Sequence, residues 1–106
     1  MEEKQSLYKF IEFISAVAKK PAIYQISNVD GIYAMIFGYI AGSQSEILNV
    51  FHQNFRTFVN EYFASDFVIQ GDYNWPRLFR FYSASESHSV ELFLQVFEQF
   101  INSQDL

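Results

Sequence analysis

Apolar residues recur along most of this chain at three- and four-residue intervals, the period of an amphipathic helix. Leu7, Phe10, Ile11, Ile14, Val17 and Ala18 predict a first helix from about Lys4 to Lys19. Lys19 and Lys20 complement the negative end of its dipole, and Pro21 stops it. Pro21 to Asn28 reads as an extended connector. A second helix is expected from about Asp30 to Ala41, started by Ser27 in a capping-box-like arrangement with Asp30. Its residues Ile32, Tyr33, Met35, Ile36, Phe37, Tyr39 and Ile40 are apolar on nearly every side. That pattern predicts a buried central helix. Gly38 would then permit close approach of a neighbouring helix, and Gly42 fits the C-cap.

Ser43-Gln44-Ser45-Glu46 reads as a capping box for a third helix that continues to about Ala64. Ile47, Leu48, Phe51, Phe55, Phe58, Val59, Tyr62 and Phe63 form its stripe. His52, Gln53, Arg56, Asn60 and Glu61 lie off it. Ser65 to Asn74 is the main irregular stretch. Phe67-Val68-Ile69 followed by Gly71-Asp72 is compatible with a short strand and turn, or with a structured loop, the reading preferred. Trp75-Pro76 opens a short helix over Pro76 to Tyr82, since proline suits a first turn. Ser83-Ala84-Ser85-Glu86 is another capping box, leading into a last helix from about Ser87 to Asn102. Val90, Phe93, Leu94, Phe97, Phe100 and Ile101 give that helix an apolar face. The expected fold is all-α: one compact domain over residues 1–106, a bundle of four main helices plus one short helix, with short links favouring antiparallel neighbours.

Composition sharpens this picture. Half of the residues are hydrophobic and 20% are aromatic, ample apolar surface to offset chain entropy in one domain. The chain has no cysteine, which excludes disulfides, thiolate metal sites and thiol nucleophiles. The start Met1-Glu2-Glu3-Lys4 is unlike a signal peptide. The apolar run Ile32 to Ala41 is too short to span a bilayer, which takes about 20 residues. These features predict a soluble, cytoplasmic protein with no membrane contact. Seven basic residues face twelve acidic ones, and the bases form no dense patch. Direct nucleic-acid binding is therefore disfavoured; the acidic balance is explained most simply by solubility, and it would also suit a basic protein partner.

The candidate chemistry is thin. His52 and His88 lack a metal-ligand spacing; Glu91, three residues after His88, could share its helix face, but two surface histidines are the simpler reading. No nucleophile elbow, phosphate loop or dinucleotide fingerprint is present. Glu61 and Asp66, with Asp72 beyond, could form a carboxylate pair, but a solvated helix end is the preferred reading. Trp75 reads as core. The expectation is a protein that is not an enzyme, with no catalytic residue, no metal and no cofactor.

Taken in order, several features resemble a family. Lys20-Pro21-Ala22-Ile23-Tyr24 ends the first helix and a helix carrying Phe37-Gly38-Tyr39 follows. A helix built on Asn49-x-Phe51 comes next, then Trp75 with Leu78. The chain closes on a serine-led helix with Phe93-Leu94-x-x-Phe97-Glu98-x-Phe100-Ile101. This order is similar to small immunity proteins of bacterial toxin–immunity systems, including contact-dependent growth inhibition. The resemblance implies a cytosolic antitoxin. Its partner would be the C-terminal toxic domain of a secreted effector, in many such systems a nuclease with a basic cleft. It would block the active or substrate-binding surface. Candidate toxin-binding residues are Glu61, Asp66, Asp72, Tyr73 and Glu86, four acids and an aromatic in and beside the irregular stretch. Alternative functions are a non-toxin adaptor or regulatory module, a small hydrolase and a self-assembling helical domain.

Overall fold

The computed structural model describes residues 2–63 and 75–104. The described residues form helices α1 (Glu2–Lys19), α2 (Val29–Ser43), α3 (Glu46–Phe63), α4 (Trp75–Phe81) and α5 (Glu86–Ser103). A single 3-10 turn, Pro21–Tyr24, joins α1 to α2. The all-helical expectation and the pattern of four long helices and one short one hold for these residues. The Phe67 to Ile69 question lies outside them.

Spacing explains the core. Leu7, Phe10, Ile14 and Val17 fall on one stripe of α1, and Leu48, Phe51, Phe55, Val59 and Phe63 on one stripe of α3; all are buried. Val90, Phe93, Val96, Phe97 and Phe100 do the same on α5. The stripes meet with α4 and the inner side of α2 in one cluster. Its centre is aromatic. The Phe55 ring lies 5.2 Å from Trp75, 5.7 Å from Phe93, 5.5 Å from Phe97 and 5.3 Å from Phe100, all edge-on. Trp75 stacks on Phe93 at 5.4 Å. Trp75 is core, as its sequence position implied.

The connections differ from the expectations in instructive ways. Pro21 to Asn28 is not extended throughout. Proline opens a 3-10 turn that closes with Gln25 in the left-handed region, φ 59°. The cap of α2 is Asn28 rather than Ser27, and its side chain accepts the Gly31 N–H. Starting there buries Val29, Ile32 and Ile36 together, so packing register decides between two adequate caps. Val29 N–H is received by the Ser89 hydroxyl at 3.2 Å, and that hydroxyl donates to the Glu86 carbonyl. Ser89 is the buried polar residue that ties α5 to the start of α2.

The two Ser-x-Ser-Glu segments act alike, and not as capping boxes led by the first serine. Ser43 and Ser83 donate back to Ile40 and Arg80 carbonyls, finishing the preceding helices. Ser45 and Ser85 cap the next helices by accepting from Leu48 N–H and His88 N–H. Glu46 and Glu86 then occupy first-turn positions, where a negative charge suits the dipole. Gly42 is not the C-cap of α2. The helix runs on to Ser43, and Gln44 takes the left-handed position at φ 53° with its N–H on the Ile40 carbonyl.

The largest correction concerns α2 itself. It is not buried on all sides. Phe37 is 61% exposed, and Tyr33, Met35, Tyr39 and Ile40 are half-buried. Gly38 faces open space: a Cβ placed there meets nothing within 4 Å, so no helix approaches closely. The reason lies in the packing. α2 leans on α4, α5 and α1, and α3 is not among its principal neighbours despite the tight link between them. The sequence expectation that a short link makes packed neighbours fails at this one joint, and a groove opens there.

Candidate functional site: an aromatic groove between two helices

The groove has a volume of about 470 Å³, within the usual range for ligand and anchor-residue pockets of roughly 300–1,000 Å³. One wall comes from α2, where Tyr33, Phe37, Ile40 and Ala41 follow at spacings of four, three and one and so share a face. The other comes from α3, where Asn49, His52, Gln53 and Arg56 follow at three, one and three. Trp75 closes the end. The walls are unlike: aromatic and aliphatic on α2, rich in hydrogen-bonding groups on α3. At the lip the Phe37 ring stacks on Tyr33 with centroids 6.3 Å apart and planes 27° apart. The exposed Phe37 ring thus packs on Tyr33 one turn earlier.

His52 organises the closed end. Its Nε2 accepts the Trp75 Nε1–H at 2.9 Å. An indole N–H only donates, so this bond requires the neutral imidazole with its proton on Nδ1. Tyr33 packs against both partners, 6.0 Å from the imidazole and 5.3 Å from the indole. Burial lowers the His52 pKa below its ordinary value, and the Arg56 guanidinium one turn along α3 lowers it further. His52 is thus not the surface histidine that its place off the apolar stripe suggested. His88 is also engaged: its Nδ1 accepts the Ala84 N–H at 2.8 Å, which leaves only the other ring nitrogen for any pairing with Glu91. Among the described residues no three histidine or carboxylate side chains gather as a metal site. No helix among them is long and apolar enough to cross a membrane.

A second, polar depression of about 280 Å³ lies where the first turns of α2 and α5 meet. Arg80 reaches Asp30 there at 3.4 Å. Asp30 and Glu86 already answer both helix dipoles.

Of the residues expected to touch a partner, Glu61 is exposed in the last turn of α3 and Glu86 is exposed in the first turn of α5. Asp66, Asp72 and Tyr73 lie outside the described residues, as does any pairing of Glu61 with Asp66. In sequence this stretch leads into Trp75, the closed end of the groove. The sequence reading missed Phe37, Tyr33 and His52 as site residues. A signal was available: α2 carries two apolar rows, Val29-Ile32-Ile36 and Tyr33-Phe37-Ile40, and one helix face cannot bury both.

Comparison with protein-family models, with curated proteins and with solved structures found no match.

Proposed function

We propose that this protein acts by binding another protein, as an immunity protein that covers the active or substrate-binding surface of a cognate toxin domain. The observation that carries the reading is Phe37: a large ring, 61% exposed, stacked in place at the lip of a groove. Large side chains that seat in well-packed pockets are enriched among binding hot spots. The formal charge of −5 adds direction, because an acidic surface accelerates encounter with a basic nuclease-like partner. In this reading Glu61 and Glu86, with Asp66, Asp72 and Tyr73, meet the toxin's basic residues, and Phe37 anchors the complex. A standard interface of about 1,600 Å² in total would suffice.

Co-expression tests this directly. Cells producing the toxic C-terminal domain encoded immediately upstream should survive when this chain is produced with it, and the two proteins should purify together. Unprotected cells, with the chain present in folded form, would rule the reading out.

A further inference from the structure

We propose that His52 is a proton-operated latch on the groove: neutral, it holds Trp75 in place as the closed end, and protonated, it releases it. The argument rests on donor and acceptor inventory. The bond from Trp75 Nε1–H to His52 Nε2, 2.9 Å long, exists only while Nε2 has a lone pair. Imidazolium carries N–H on both nitrogens, so at the same separation two donors would face each other. Trp75 is 1% exposed, and its indole N–H would then be buried without an acceptor, a costly state.

Among the described residues that line the groove, no anionic side chain accommodates the extra charge. From α3 the charged neighbour is Arg56, which opposes it. From α2 the facing group is the Tyr33 ring. From α4 it is the indole itself. Relief comes from moving apart, and Trp75 is placed to transmit the movement. It is the first residue of α4, and it touches Tyr33 on the groove wall and Phe93 in the core. The groove therefore has one shape above the His52 transition and a looser one below it. A consequence follows for the partner: binding through Phe37 should weaken under mild acid. That consequence rests on the groove being the contact face, whereas the latch does not.

The chain has one tryptophan, so tryptophan fluorescence reports on Trp75 alone. Acrylamide quenching of Trp75 is followed from about pH 8 to about pH 4.5, spanning the ordinary histidine range, with helix content monitored by circular dichroism. In the wild type, Trp75 should be shielded at the upper end and become several-fold more quenchable on acidification, helix content unchanged. In His52→Gln the amide oxygen can accept the indole N–H at any pH, so shielding should persist. His88→Gln should behave as the wild type. Shielding that persists in acid in the wild type, the same transition in His52→Gln, or loss of helix in step with shielding would each overturn the latch. Repeating the series with the toxin domain separates the two claims. Binding that stays tight while Trp75 becomes quenchable would remove the groove from the interface and leave the latch standing.

Discussion

Truncating Phe55 gives the sharpest test of how this fold is held together. Phe55 is 1% exposed and lies edge-on to Trp75, Phe93, Phe97 and Phe100, so one ring joins α3, α4 and α5. Phe55→Ala removes its apolar burial and leaves a ring-sized void that rigid aromatic neighbours cannot fill, a loss of about 3–5 kcal/mol. The four edge contacts add to the burial term and favour the upper part of that range. Against a total stability of about 5–15 kcal/mol for a domain of this size, that is a third or more of the total at the middle of the range, and the urea midpoint should fall accordingly. Phe55→Leu keeps most of the volume and should lose about 1–2 kcal/mol. Phe37→Ala, on the exposed lip, should change stability by no more than about 0.5 kcal/mol. Urea unfolding followed by circular dichroism measures all three. A loss under about 1.5 kcal/mol for Phe55→Ala, or an equal loss for Phe37→Ala, would refute this assignment of core and surface.

Other predictions follow from particular contacts. Gly38→Ala should stabilise the protein by about 1 kcal/mol in thermal melts, because the position is helical and a methyl group there meets open space. Ser89→Ala should cost about 1–3 kcal/mol, since it orphans the buried Val29 N–H; faster hydrogen exchange at Val29 would accompany it. Ser85→Ala should cost about 1 kcal/mol as loss of a true cap, and Ser83→Ala clearly less. The His52 pKa lies below its unfolded value of about 6.5, so the unfolded chain binds the proton more readily. Stability from this group is therefore complete above about pH 6.5 and declines as pH falls from there toward the folded pKa. His52→Gln should flatten that part of the stability–pH curve.

The long helices were legible because each carries a stripe that only a helical period explains, as Leu48, Phe51, Phe55 and Val59 do on α3. Helix ends were less legible. In Ser-x-Ser-Glu both serines are competent caps by local chemistry, and the choice between them is made by which register lets Leu48 or Val90 enter the core. The exposure of α2 is hidden in the sequence for a related reason. Its hydrophobicity runs all round, which on a soluble core means burial and on a binding surface means exposure, and composition does not separate the two. The site inherited that ambiguity. Phe37 and Tyr33 look like core residues in a linear pattern. His52 looks like a surface residue until Trp75, 23 positions away, is known to reach it.

The measurement that bears most directly on the proposed function is the affinity of the purified protein for the proposed cognate toxin domain, sought in the protein encoded immediately upstream, by calorimetry, with wild type and Phe37→Ala compared. The wild type should form a tight complex, and loss of the Phe37 ring should weaken it about 30-fold or more, the effect of a hot spot worth at least about 2 kcal/mol. Ile23→Ala, at an even more exposed apolar residue outside the groove, should bind as the wild type does. No measurable complex, or a Phe37→Ala protein that binds with undiminished affinity, would contradict the proposal.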